Sequence, residues 1–423
     1  MESWLFSAGG SDYVLRRAPS LEFMEDRPYG HDTEAAVIRA AHAAGVTAPE
    51  VVAELEPEDG IGSGFLMRAL PGTPNPKEIL AFEDADELLK QAARDLARIH
   101  SVPREAVPEA VPVMNYREAI ADLRTQFDEA GGDRPIIALG LKWMEDNCPD
   151  EVEPVLNHGD YRMGNLLAEP GKLTGVLDWE LAHFGDRHED LAFGCMAVWR
   201  FARYDRPALG LGSLEDYFTA YEAEAGVKVD RERFRYWLVH RTVWWALGCL
   251  RMAKHWRTGQ DRMLERVVIS RRTSEQELDL LMLLEEDAPE EERRKPATFR
   301  DEEPDWLGDD VVTEPGEAVL SEMAVAISEW LETMKNRVEG HDKFQLAVAR
   351  NALGIITREE GRETFQHNYH NDFWAFQLLT ATDPLRSPGL LADLKGKVLT
   401  KVFMDSPKYP ALAVARKKWL GEH

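Results

Sequence analysis

Residues 1–70 alternate short apolar runs with glycine- and acid-rich breaks, a pattern of strands and tight turns. Residues 3–6 and 13–17 are strand-like, and Gly9 and Gly10 lie between them, so the two are expected to form a hairpin with a glycine turn. Thr33 can cap a helix over 34–44 that Gly45 stops. Residues 51–55 and 64–68 predict two more strands, and Leu70, Pro71 and Gly72 break the chain. From 84 to 101 the spacing of Leu88, Leu89, Ala92, Leu96 and Ile99 is helical, and 117–147 reads as helix too. Two further strand-like runs, 165–168 and 173–177, flank a turn at Pro170, Gly171 and Lys172, so Asp178 emerges at a strand end. Residues 189–285 are helix-rich and carry Trp237, Trp244 and Trp245.

The pattern changes after residue 285. Residues 285–305 hold ten acidic side chains, four basic ones and three prolines, the composition of a solvated linker. Beyond it the helical period returns. Val319, Met323, Ile327, Trp330 and Leu331 make one apolar face, and Phe344, Val348, Leu353 and Ile356 another. The expected organisation is a small mixed lobe over 1–70, a larger lobe over 71–285, a linker over 286–305 and a helical domain over 306–423.

The chain has 423 residues, 44% of them apolar, which suits two or three globular domains. Its formal net charge of −26 opposes general binding to nucleic acid or to an anionic membrane. Cys148, Cys195 and Cys249 are odd in number and far apart, as in reduced thiols of a cytoplasmic protein. No window reaches the roughly 18 apolar residues of a membrane span, and the start lacks a signal-peptide pattern. The expected location is the cytoplasm.

The densest chemistry lies at His158, Gly159, Asp160 and Asn165, followed by Asp178, Trp179 and Glu180. An Asp, an Asn five residues on and a second Asp after a short hairpin is the spacing of a kinase catalytic loop and its metal-binding carboxylate. Asp160 would orient an acceptor hydroxyl, because a loose phosphoryl-transfer transition state needs positioning more than a strong base. Asn165 and Asp178 offer hard oxygens to magnesium. His158 reads as a scaffold that holds the loop, and Asp190 as a brace beneath it; helix capping is the plainer alternative for Asp190. A two-metal phosphoesterase could use His158 and Asp160, with His183 and His188 nearby, but the rest of that ligand set is missing.

Together with the run from Gly185 to Ala192, these signatures resemble the aminoglycoside phosphotransferase-like kinases over roughly residues 1–285. Residues 13–17, 96–100 and the Arg271–Arg272 segment resemble a narrower branch, the kinase-like domains fused to or encoded near acyl-CoA dehydrogenases. The tail, especially 347–353, resembles an uncharacterised helical domain found with such kinases.

The resemblance implies an α+β, two-lobed, protein-kinase-like fold with an all-α C-terminal domain, and an ATP- and Mg2+-dependent transfer to a small-molecule hydroxyl. The acceptor it suggests is a hydroxylated acyl or acyl-CoA compound, and the partner an acyl-CoA-metabolising enzyme. Arg16, paired with Glu34, would sit where relatives hold the α/β-phosphates with Lys, and the backbone of Met67 and Ala69 would meet adenine. In relatives a further strand and a phosphate loop precede the strand that 3–6 matches, so the small lobe is expected to be truncated, with Gly9 and Gly10 read as the next hairpin turn. The rival expectation is a catalytically silent kinase-fold module that docks a partner enzyme through the helical tail.

Overall fold

A computed structural model describes residues 2–19, 28–298, 320–360 and 371–421. In chain order the elements are β1 (Glu2–Ala8), β2 (Ser11–Ala18), α1 (His31–Ala43), β3 (Val51–Glu54), β4 (Ser63–Arg68), α2 (Pro76–Ile79), α3 (Ala85–Ile99), α4 (Tyr116–Glu129), α5 (Pro135–Asp146), β5 (Val155–Asn157), β6 (Leu166–Glu169), β7 (Lys172–Val176), β8 (His183–Gly185), α6 (Arg187–Phe193), α7 (Leu214–Ala225), α8 (Arg231–Thr258), α9 (Leu264–Arg271), α10 (Thr273–Leu284), α11 (Glu290–Arg293), α12 (Leu320–Met334), α13 (Gly340–Glu360), α14 (Asn371–Thr380), α15 (Leu390–Asp405) and α16 (Pro410–Leu420). They form two compact units: Met1–Ala119 with Cys148–Arg241, and Ile120–Asn147 with Thr242–His423.

The first unit carries all the strands. Four make an antiparallel sheet in the order β1-β2-β4-β3. Gly9 and Gly10 turn β1 into β2 with φ of 60° and 82°, a left-handed turn that other residues rarely adopt. Arg16 on β2 lies opposite Ser3 and Phe65. Gly64 is required on the neighbouring strand, because a Cβ there would sit 2.2 Å from the Arg16 carbonyl oxygen.

Helix α1 starts at His31, three residues before the expected start. Its N-cap is Gly30, with no side-chain cap. The reason is tertiary. His31 reaches Ser63 Oγ at 2.9 Å and meets the edge of Phe65, so the first turn is buried against β4. That burial also brings Glu34 to the Arg16 side of the sheet.

The rest of this unit is held by buried backbone and side-chain bonds. Val176 N–H donates to Thr47 O at 2.8 Å, and Thr73 exchanges two backbone bonds with Ala168. Helices α3 and α7 pack together, β5 pairs with β8, and β6 and β7 form the predicted hairpin. The hairpin ends at Val176, two residues before Asp178.

Among the described residues, the regular elements of the second unit are all helices. The helix expected over 117–147 is two helices. Gly131 and Gly132, with φ of 111° and 64°, interrupt it, and Pro135 opens the second segment. Arg134 at that break is held to Glu277, with its Nε 2.9 Å from Oε1. Helix α5 packs on α14, and α10 packs on α15 and α16.

The segment expected as a solvated linker differs over its first part. Glu292 is buried and accepts from Gly389 N–H at 2.9 Å. Ala297 N–H donates to Trp419 O at 3.3 Å, and Thr298 N–H to Ala392 O at 2.9 Å. Residues 299–305 and Val319 lie outside the described residues. On α12 the apolar face read from the sequence is mostly uncovered, with Leu331 half-buried. Ala324 is the buried residue, while Met323, Ile327 and Trp330 are exposed. Among the described residues no helix is long and apolar enough to cross a membrane.

Candidate active site

The loop between β5 and β6 carries Asp160, and its backbone is fixed from below. Asp190 on α6 accepts two successive N–H groups, from His158 at 2.5 Å and from Gly159 at 2.9 Å. Gly159 has φ of 82°, and a Cβ there would lie 2.3 Å from Leu181 O. Burial works against the Asp190 charge, yet the His100 contact and the backbone donors hold its carboxyl below the usual range.

His158 is wholly buried, and burial pushes its pKa down, so the neutral ring is favoured. Its Nε2–H donates to Leu177 O at 3.0 Å and its Nδ1 accepts from Asp160 N–H at 3.2 Å. Both nitrogens are therefore spent on backbone, which ties the Asp160 loop to the strand end carrying Asp178. Tyr161, for which the sequence offers no role, is also buried and donates to Ala92 O on α3 at 2.8 Å.

Asp160 and Asn165 are brought together. Asn165 Nδ2 donates to Asp160 Oδ2 at 2.7 Å and to Asp160 O at 2.9 Å. With the amide nitrogen so committed, Asn165 Oδ1 is the atom left to meet a cation. Leu177 N–H donates to Asn165 O at 2.8 Å, so Asp178 follows one residue after a direct backbone tie to Asn165. Asp178 itself has φ of 70°, a left-handed conformation that costs a non-glycine residue about 1–2 kcal/mol.

Arg16 reaches this site from the sheet. Its Nε lies 3.0 Å from Glu34 Oε1, and its Nη2 lies 2.7 Å from Asp178 Oδ1 and 2.6 Å from Glu180 Oε2. Burial disfavours the Arg16 charge, but the three carboxylates more than restore it and raise its pKa. One guanidinium among three carboxylates leaves the cluster two charges negative, the deficit that one divalent cation would fill. Asn165 Oδ1 and the Asp178 carboxylate are hard oxygen donors, and magnesium takes few protein ligands when phosphates and water supply the rest. The residues present therefore fit a magnesium–nucleotide complex.

The chain belongs to the phosphotransferase enzyme family. The family profile matches residues 2–227, which hold every site residue described above. Among curated relatives, acyl-CoA dehydrogenase family member 10 of Mus musculus is 28% identical over 243 residues, covering 51% of this chain and 22% of that protein. An aminoglycoside 3'-phosphotransferase of Escherichia coli is 28% identical over 136 residues, covering 30% of this chain and 50% of that enzyme. The chain thus spans about a fifth of the length of the first and half that of the second. A solved structure from Ralstonia eutropha, described as a candidate aminoglycoside phosphotransferase, superposes with a TM-score of 0.54 at 19% identity, over 67% of this chain and 92% of that one. That likeness carries the fold, mixed α+β and kinase-like, to which this chain adds a substantial all-helical region toward the C-terminus.

The small lobe of this phosphotransferase differs from expectation at the hinge. Ala69 N–H already donates to Asp12 O at 3.0 Å, and Met67 is paired with Val14 on one side and Val51 on the other. An adenine ring at this edge would have to meet other backbone groups or displace the Ala69 bond. Three residues beside Asp160 and Asp178 have no role derivable from the sequence, although Glu180 belongs to the stretch singled out there. Glu180 joins Asp178 on Arg16. Arg162 binds Asp160. Trp199 lies under Arg162, whose Cζ is 4.3 Å from the ring centre. Arg162 stands two positions after Asp160, a spacing that could have flagged it; Trp199 gives no local signal.

Proposed function

We propose that this protein is an ATP- and Mg2+-dependent small-molecule kinase that phosphorylates a hydroxyl group. The observation that carries this reading is the continuous chain of contacts from Glu34 through Arg16 to Asp178, beside the hydrogen-bonded pair of Asp160 and Asn165. When bound, magnesium–ATP supplies the phosphoryl group and part of the positive charge that offsets it. Asp178 and Asn165 would hold the metal, and Arg16, kept in place by Glu34, would bind phosphate. Asp160 would orient the acceptor O–H and take up its proton. Burial pushes the Asp160 carboxyl up while Arg162 opposes it, so its affinity for a proton is not simply suppressed by the neighbouring cation.

The likeness to acyl-CoA dehydrogenase relatives supports a hydroxylated acyl or acyl-CoA acceptor, and an acyl-CoA-metabolising enzyme as a partner. The test is Mg2+-dependent ATP turnover across a panel of hydroxylated metabolites. Asp160→Ala is expected to lower turnover by about 10²–10⁴-fold while the fold is kept. Equal turnover by variant and wild type sinks the assignment.

A second reading is a silent kinase-fold module that docks a partner enzyme through its helical region. The exposed Met323, Ile327 and Trp330 on α12 favour it. Calorimetry with ATP separates the two, because a silent module shows no magnesium-dependent binding.

A further inference from the structure

Asp160 is not open in this structure. Arg162 grips it with a two-pronged fork, Nε to Oδ1 at 2.8 Å and Nη2 to Oδ2 at 3.2 Å. Such a fork is the geometry by which arginine recognises carboxylates and phosphates. The guanidinium is laid flat by its surroundings. Trp199 supports one face, and Gly164 leaves room for it, since a Cβ at Gly164 would come within 2.3 Å of Arg162 Nη1. Among the described residues Asp160 is the sole carboxylate partner of Arg162.

The layer beneath is aromatic. Trp199 stacks on Phe193, with ring centres 6.4 Å apart and planes 11° apart, and Arg241, ion-paired with the buried Glu189, has its Cζ 6.0 Å from the Phe193 ring centre. Burial disfavours the Arg241 charge, and the Asp160 charge reaches it and favours it. Arg200 follows Trp199 and donates twice to Cys195 O, with no carboxylate partner. Arg162 and Arg200 are therefore the cations nearest the Trp199 ring, and of the two Arg162 is the one on the reacting carboxylate.

The segment after Trp199 is also strained. Phe201, Ala202 and Leu209 have φ of 47°, 72° and 54°, and Asp178 accounts for a fourth of the five such non-glycine residues among those described. Backbone strain of this kind concentrates at ligand clamps and active sites.

We infer that the acceptor is an anionic hydroxyl compound, and that Arg162 is the residue that reads its negative group, leaving the Asp160 carboxylate for the acceptor's carboxylate or phosphate. This rests on the kinase reading of the same site. An acceptor that drew Arg162 away would free Asp160 Oδ1 for the incoming hydroxyl, so recognition of the anion and exposure of the base would be one event. A neutral acceptor would leave Arg162 where it is, with the fork still closed.

The test is calorimetry on the full chain with AMP-PNP and magnesium filling the nucleotide site. The probes are 3-hydroxybutyrate, 3-hydroxybutyramide, 3-hydroxybutyryl-CoA and kanamycin. Wild type is expected to bind the acid or the thioester at least about tenfold tighter than the amide, a difference of roughly 1.4 kcal/mol. Preference for the acid identifies a carboxylate as the anion; binding of the thioester alone identifies the nucleotide phosphates of the carrier. Arg162→Gln is expected to erase the preference and Arg162→Lys to keep part of it. Asp160→Asn, which loosens the fork, is expected to tighten anion binding severalfold. A purely structural role for Arg162 predicts weaker binding in all three variants and overturns the inference. So do tighter binding of the amide or kanamycin, a preference that survives Arg162→Gln, or binding of none of the probes at millimolar concentration. Retention of magnesium-dependent AMP-PNP binding in those cases leaves the kinase reading standing; its loss removes both.

Discussion

Arg16 in the first unit and Lys395 in the second are both cations held among carboxylates, and the two settings differ in completeness. Lys395 is wholly buried. It faces Glu285 at 3.4 Å, donates to Arg293 O at 2.9 Å and Lys295 O at 3.4 Å, and lies over the Trp419 ring. Glu285 is further satisfied by Trp419 Nε1–H and by Lys418 at 2.6 Å. Two lysines share one carboxylate there, and backbone carbonyls and the Trp419 indole meet the remaining polar atoms, which fastens residues 290–298 to α15 and α16. Arg16 instead serves three carboxylates, two of which, Asp178 and Glu180, keep about a third of their side-chain surface in solvent (35% and 32%). A closed charge cluster met by protein groups is a structural clamp. An unbalanced one with an open side is a place for a ligand.

Two substitutions would break this comparison if it is misdrawn. Arg16→Met leaves Glu34, only 2% exposed, without its cation, and is expected to cost about 3–5 kcal/mol and to abolish magnesium-dependent nucleotide binding. Lys395→Met is expected to cost about 1–3 kcal/mol, because it leaves two buried carbonyls unpaired while Glu285 keeps Lys418 and the Trp419 N–H, yet nucleotide binding should be unchanged. Denaturant melts give the first quantity. Hydrogen exchange at the Ala297 and Thr298 N–H groups, which should accelerate in Lys395→Met alone, locates the second. Loss of nucleotide binding in both variants would erase the distinction between clamp and site.

The contrast also explains what was legible in the chain. Asp160, Asn165 and Asp178 could be read because local backbone fixes them: a five-residue loop, then a hairpin of set length. The arrangement of the surrounding charges depends on contacts distant in sequence. Arg16 meets Asp178 and Glu180 across 162 and 164 positions, and Arg162 lies on Trp199 because α6 and the strained turn after it bring that ring back. Likewise, periodicity placed a helix over 117–147 but could not show that Gly131, Gly132 and Pro135 together would outweigh helical propensity. On α12 periodicity found the apolar stripe and not which side of the helix would be covered. Ala324, at the edge of that stripe beside Leu331, is what packs.

A smaller effect concerns Asp95, which ties α3 to the turn after α1. It is buried, accepts from Thr47 N–H at 3.0 Å and from Thr47 Oγ1–H at 3.1 Å, and has Arg98 3.5 Å away. Burial outweighs these partners and pushes its pKa up to about 6. A carboxyl raised in the folded state binds its proton more tightly there than in the unfolded chain, where its pKa is about 3.9. Stability from this group is therefore fully present below about pH 4 and is lost as pH rises through about 6, by about 3 kcal/mol in all. The stability of Asp95→Asn minus that of wild type should grow by about this amount between pH 4 and pH 7.5. A difference that stays flat would mean the carboxylate is better solvated than its burial implies. Unlike Arg16, Asp95 has no open side through which a ligand could balance it, so its cost is a feature of the scaffold.

The smallest effect tests whether strain, like unbalanced charge, marks the site. Four of the five non-glycine residues with positive φ among those described lie in the first unit, and Asp383 alone lies in the second. Ala202 is the simplest to relieve. It is exposed, its φ is 72°, and it has no side chain beyond Cβ to confound the result. Glycine accepts this conformation freely but loses more entropy on folding, so Ala202→Gly should stabilise the protein by no more than about 1 kcal/mol. If the strained turn exists to hold Trp199 beneath Arg162, the same substitution should weaken anion binding severalfold while stability rises. A gain in stability with unchanged binding would assign the strain to the scaffold. A loss of stability would show that the turn is not strained at this residue.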